Sequence, residues 1–205
     1  MTQPLNVLIA CEHTGAVRDA FNALGHTAVS NDLLPDASTT GGSHLVGDCR
    51  EAILAGPDGN GGSWDIIIMH PPCTALAVSG NRWYGRGKEK ATERTEAIAW
   101  TLDLWKLATE RCDRVAMENP VGVLPMKATQ YVQPWQFGHG ETKKTGLWLH
   151  GLAPLTATDV VEGREPRVWK MGPSADRWAL RSATYRGIAE AMADQWGGDL
   201  REVAE

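Results

Sequence analysis

Short apolar runs alternate with helical patterns along this chain, and each run ends in a polar turn. That alternation constrains the fold most, because it marks successive βαβ units and a mostly parallel sheet. "NVLIAC" (6–11) reads as the first strand and "GAVRDAFNALG" (15–25) as a helix stopped by Gly25. "HTAVSND" (26–32) is a second strand and "HLVGD" (44–48) a short third, with a helix expected around Cys49–Leu54. Residues 56–63 form a flexible connection to a fourth strand at Ile66–Met69, whose unbroken apolar character suits burial on both faces. "ATERTEAIAWTLDLWKLATERC" (91–112) predicts a long helix with Ile98, Leu102, Trp105 and Ala108 on its inner face. "DRVAMEN" (113–119) gives a fifth strand, "LWLHGL" (147–152) another, and "TYRGIAEAMADQWG" (184–197) a closing helix.

Sheets of this kind gather their chemistry beyond the carboxyl ends of the strands. The first strand runs into "CEHTGAV", where the turn Cys11, Glu12, His13, Thr14 and Gly15 opens a helix. Its backbone N–H groups could receive a carboxylate or phosphate, although the GxGxxG fingerprint is absent and an ordinary βα turn is the competing reading. Asp32 is placed to bond ribose hydroxyls, or else caps the following loop. Asp48 could accept from an adenine amino group, or serve as the N-cap of the next helix. Together these positions favour an adenosine-containing cofactor.

The fourth strand is stopped by Pro71 and Pro72, which cannot donate to a ladder, and Cys73 follows at once. A cysteine there is a candidate nucleophile, against the bland alternative of a buried structural thiol. The fifth strand ends in "MENP", so Glu118 should emerge beside Cys73. A partly desolvated glutamate has a raised pKa and can donate a proton; capping of the next turn is the alternative.

"PPC" followed by a small-residue loop, then "EN" at the end of the next strand, resembles motifs IV and VI of the DNA cytosine-5 methyltransferases. "CEHTGAV" stands where that family has its S-adenosylmethionine loop, and "GREPRVW" (163–169) is similar to its motif of alternating arginines. The resemblance implies a Rossmann-like class I methyltransferase fold, α/β, with a mostly parallel sheet and helices on both faces. It implies S-adenosylmethionine as cofactor, with Pro71 added to the cofactor set, and C5 methylation of cytosine in DNA. Cys73 would attack C6, Glu118 would protonate N3, and Asn119 would hold the Cys73 loop against the glutamate's strand. Arg167 would contact a flipped base, with Arg164 in support. Three departures stand out. Only a short stretch separates Arg167 from Tyr185, so a separate target-recognition domain is not expected within a single domain spanning residues 1–205. Cys11 replaces the family's usual Phe, with the Gly-rich core reduced to Gly15, and the glutamate motif reads Glu-Asn-Pro. The chain looks most like the short stand-alone proteins of this family that bacteriophages encode.

The formal net charge of −5 argues against general coating of nucleic acid, yet residues 80–94 carry five Lys/Arg against two Glu. Arg82, Trp83, Tyr84, Arg86 and Lys88 interleave basic and aromatic side chains there, a pattern suited to a phosphate backbone and an unstacked base. Lys143, Lys144, Arg164, Arg167, Lys170, Arg177, Arg181 and Arg186 extend the basic set, the bland reading being a solvated surface. DNA, duplex or single-stranded, is the expected partner, with a homodimer or partner subunit completing the surface. The four cysteines show no metal-ligand spacing, so no metal is expected, and His70 reads as a loop-shaping neighbour of Cys73. No run is long enough to span a membrane and no secretion signal is evident, so a cytoplasmic protein with free thiols is expected. Two alternatives remain: the same chemistry on a free nucleotide or RNA, and a non-catalytic nucleic-acid-binding relative.

Overall fold

The computed structural model describes residues 3–172 and 181–198. Seven strands form one sheet: β1 (Asn6–Ala10), β2 (Thr27–Asp32), β3 (His44–Val46), β4 (Ile66–Met69), β5 (Val115–Pro120), β6 (Gln130–Val132) and β7 (Thr145–His150). Their order is β3-β2-β1-β4-β5-β7-β6. β1 to β5 are parallel, while β7 lies antiparallel between β5 and β6. The order reverses between β1 and β4, and such a switch point opens a crevice at the carboxyl ends of the strands.

The helices are α1 (Ala16–Ala23), α2 (Cys49–Ala55), α3 (Asn81–Tyr84), α4 (Ala91–Arg111), α5 (Arg167–Lys170) and α6 (Arg186–Gly197). Strand alternation divides the core between two faces. Val7, Ile9, Ile66 and Ile68 pack with Phe21 of α1 and Ile188, Met192 and Trp196 of α6. Leu8, Ala10, Ile67 and Met69 pack with Ile53 of α2 and Leu104 and Ala108 of α4. Helices therefore cover both faces, and the all-apolar central strands are the result.

Three expectations need correction. β6 carried no apolar pattern because Tyr131 is exposed and only Val132 is buried. β7 begins two residues early, at Thr145, because the buried Gly146 pairs with both Asn119 and Tyr131. On α4 the fully buried residues are Thr101, Leu104 and Ala108, while Ile98, Leu102 and Trp105 are half-buried. Thr101 is tolerated inside because its Oγ1 donates back to the Ala97 carbonyl at 2.7 Å.

Arg18 has a fully buried side chain. Its Nε donates to Asp19 at 2.8 Å and its Nη1 to Asp36 at 2.8 Å and Ser30 at 3.0 Å. Nη2 reaches Ser38 at 2.6 Å and Thr40 at 3.1 Å. One guanidinium thus fastens α1 and β2 to the connection before β3. Gly15, at φ 70°, lies against it, and any Cβ there would collide with the guanidinium. Arg18→Leu leaves two carboxylates uncompensated and should cost about 3 kcal/mol, read as a lower urea midpoint with an unchanged slope. An unaltered midpoint would show that the network carries no net stability.

Candidate active site

The backbone places Cys73 and Glu118 at the same rim of the sheet. β4 and β5 are parallel neighbours with Met69 opposite Met117, so both chains leave the sheet at one rim. The His70 amide donates to the Ala10 carbonyl at 2.9 Å, extending β4 by one bond before the prolines end it. Asn119 Nδ2 donates to the Pro71 carbonyl at 2.8 Å and ties the cysteine loop to β5. Arg94 faces inward, its guanidinium donating to the Ala75 and Ala77 carbonyls at 2.7 and 3.2 Å and to Asn81 at 2.7 Å. It is a strut of the loop after Cys73 rather than part of the basic surface.

His70 Nδ1 and Glu118 Oε2 are 3.0 Å apart, with each side chain about nine-tenths buried. Burial pushes the Glu118 carboxyl up, but the His70 hydrogen bond, the Lys143 charge and a Thr145 hydrogen bond outweigh it and hold the group below the usual carboxylate range. The raised pKa expected for Glu118 is therefore corrected. Burial alone would lower His70, yet the hydrogen bond and charge of Glu118, aided by Glu12 and opposed by Lys143, hold it above the ordinary histidine range. The two shifts, in opposite directions, favour a charged His70 facing a Glu118 carboxylate. Burial and the Glu118 charge push the Cys73 thiol up, against the opposing charges of Lys143 and Arg181.

Glu12, His70, Glu118 and Lys143 stand at the rim ends of β1, β4, β5 and β7, which are consecutive in the sheet. Their formal charges alternate. Lys143, beside Tyr185 with its Nζ 5.7 Å from the ring centre, also donates to the Ala183 carbonyl at 3.2 Å. Sequence gives no functional reading for Thr145, only a loop-shaping one for His70, and for Lys143 only a place in the basic set expected to face DNA. The pairing of distant strand ends brings them in, and no local spacing signals it.

A cavity of about 510 Å³ opens beyond β1, β2 and β3, walled by Cys11, Asn31, Asp32, Asp48, Pro72 and Trp100 among others. Glu12, His13, Thr14, Gly15 and Pro71 lie outside its wall. The α1 amides expected to receive a ligand are taken by the chain itself, since Glu12 accepts from Val17 at 2.8 Å and Arg18 at 3.3 Å. Asp32 accepts from the Leu34 amide at 2.9 Å, and Asp48 both caps α2 and pairs with Arg50 at 2.6 Å. Both capping readings therefore hold, while both carboxylates still border the cavity. Asn31, 1% exposed, donates to the Leu45 and Gly47 carbonyls, but its Oδ1 is buried with no hydrogen-bond partner among the described residues. Trp100 forms the cavity's aromatic wall.

Cation–aromatic pairs stand around the same rim. Arg82 lies 5.1 Å from the Trp83 ring centre, Lys90 5.6 Å from Tyr84, Lys144 4.4 Å from Tyr131 and Arg164 3.9 Å from Trp135. Trp83 is 56% exposed, and Arg86 and Lys88 are exposed beside it. Arg167 does not stand free for a base, because its Nε donates to Glu141 at 2.7 Å while the Tyr185 hydroxyl donates to the same carboxylate at 2.6 Å. Arg177 lies outside the described residues.

No protein-family model and no curated protein matches the chain. Among solved structures it is similar to the Entamoeba histolytica methyltransferase EhMeth, at TM-score 0.50 and 11% identity, over 80% of this chain and 57% of that one. It is also similar to WbdD at TM-score 0.42 and 14% identity, over 73% of this chain and 36% of that one. The chain thus spans little more than half of the first protein and about a third of the second. The strand order and the likeness to EhMeth define a Rossmann-like α/β fold shared with a methyltransferase.

The rim charges set the reactivity of Cys73. Glu118→Gln removes a negative neighbour and should speed alkylation of Cys73 by iodoacetamide at pH 8 about fivefold, whereas Lys143→Ala should slow it by a similar factor. Peptide mass spectrometry reads both rates, and equal rates in all three proteins would contradict this electrostatic account.

Proposed function

We propose that this protein is an S-adenosylmethionine-dependent C5 methyltransferase acting on cytosine in DNA through a covalent bond from Cys73 to C6. The observation that carries the reading is the meeting of Cys73 and Glu118 on adjacent strand ends beside a separate cavity of adenosine dimensions. The cavity fits such a cofactor. Asp32 borders it where a ribose would lie, Trp100 offers an aromatic wall, and the partnerless Asn31 Oδ1 calls for a donor. S-adenosylmethionine bound there would supply the methyl group.

The residues of the chain account for the remaining steps. The Cys73 thiolate attacks C6, and a proton delivered to N3 through Glu118 draws the ring electrons away from C6, so that C5 becomes nucleophilic. After substitution at C5, loss of the C5 proton to a base expels the thiolate and restores the ring. Asn119 keeps Cys73 in register through the Pro71 carbonyl. The base must be flipped out or single-stranded to reach this rim. The pairs at Trp83, Tyr84, Tyr131 and Trp135 provide stacking faces beside charges suited to phosphates.

The test is trapping. With S-adenosylmethionine and DNA carrying 5-fluorocytosine, whose C5 fluorine cannot leave as a proton, Cys73 should form an adduct stable to denaturing gels and absent in Cys73→Ser. Absence of an adduct with a bound cofactor would sink the cytosine-in-DNA reading. Calorimetry checks the cavity separately: Asp32→Ala should weaken S-adenosylmethionine binding about tenfold. Trp83→Ala should weaken single-stranded DNA binding by about 1–3 kcal/mol while leaving cofactor affinity unchanged.

A further inference from the structure

The site holds a buried imidazole whose position the reaction so far leaves unused. His70 sits between two carboxylates, Glu118 of β5 and Glu12 of the β1–α1 turn, while the Lys143 ammonium approaches from the segment before β7. Its Nδ1 meets Glu118 Oε2 at 3.0 Å, and its Nε2 is buried with no hydrogen-bond partner among the described residues. An imidazolium proton in this place has one hydrogen-bonded exit, and that exit is Glu118. The Glu118 carboxylate in turn is nearly closed to water. It needs a neighbouring source if it is to deliver a proton to a base.

We propose, building on the cytosine reading, that His70 stores the proton which Glu118 passes to N3 of the base. In the resting pair the proton is bonded to His70 Nδ1 and donated to Glu118. The Cys73 S–H bond first breaks and gives its proton to solvent. As the thiolate forms the Cys73–C6 bond, the Nδ1–H bond breaks, the carboxyl group relays the proton, and a new N3–H bond takes up the electron pair displaced on the ring. His70 is left neutral and Glu118 is again a carboxylate. When the thiolate leaves, the N3 proton returns along the same path. The pair is thereby restored, and the C5 proton is the one released. His70 acts through Glu118 and is a positioning and proton-holding residue. Lys143 belongs to the balance as well, since its charge favours the Glu118 carboxylate while opposing the proton on His70.

Two readouts test this. The first needs no substrate: titration of the six histidines of the full chain by NMR, with His70 assigned from the signal missing in His70→Asn. His70 should remain protonated above the ordinary histidine range, and Glu118→Gln should lower its midpoint by about one pH unit or more. A His70 that is neutral throughout, or indifferent to Glu118→Gln, overturns the proposal. The second is the pH dependence of adduct formation on 5-fluorocytosine DNA. Asparagine places an amide nitrogen near the Nδ1 position and preserves a donor to Glu118, but it cannot release a proton. His70→Asn should slow adduct formation about a hundredfold and remove the alkaline limb governed by His70, with S-adenosylmethionine affinity unchanged. Full rescue by asparagine would assign His70 a structural role only and overturn the proposal. If wild-type protein forms no adduct at all, the cytosine reading fails. The titration then decides by itself whether the pair holds its proton on His70.

Discussion

A carboxylate taken out of water must find compensating charge and hydrogen bonds, and Glu118 meets that need from three directions. His70 reaches it from the end of β4, Lys143 from the segment entering β7, and Thr145 from β7 itself. Each partner belongs to a strand flanking β5. Satisfying one buried charge therefore fixes how the neighbouring strand ends lie, and Asn119, the next residue, secures the cysteine loop from the same strand. Glu12 extends the pattern to β1, where its carboxylate also closes the first turn of α1. The rim is a row of alternating charges laid across the sheet, and its geometry follows from the strand order.

The same strand order separates two regions of the rim. The cavity gathers residues from β1 to β3, on one side of the switch point, while the thiol and the glutamate stand on β4 and β5. Pro72 belongs to both regions, as a wall of the cavity and as the residue before Cys73. This proline, with its fixed φ, joins the cavity wall to the Cys73 loop. The net negative charge of the chain coexists with this arrangement, because the cation–aromatic pairs cluster on the rim.

Sequence revealed the elements whose burial is continuous and the residues that end them. β1, β2, β4 and β5 were legible because apolar runs stop at polar turns, and Cys73, Glu118 and Asn119 were legible because they directly follow such runs or end them. β6 was hidden because it is an edge strand of three residues with one buried side chain. The inner face of α4 was misjudged because its apolar residues encircle the helix, with Trp100 serving the cavity and Thr101 the core. Asp32 and Asp48 kept two meanings in sequence; the structure shows the capping bonds of both, and both carboxylates also border the cavity. His70 with Glu118 lay beyond reach for a different cause. They are 48 residues apart, and only the adjacency of β4 and β5 makes them a pair. The sign of the Glu118 shift followed the same hidden partnership, since burial alone argues the other way.

The resting state of Cys73 has a consequence for its survival. Oxidants of the peroxide type attack thiolates far faster than thiols, and the path from sulfenic to sulfonic acid ends irreversibly. Burial and the Glu118 charge push the Cys73 thiol up and so disfavour its thiolate. The arrangement that pushes the thiol up therefore also slows its oxidation.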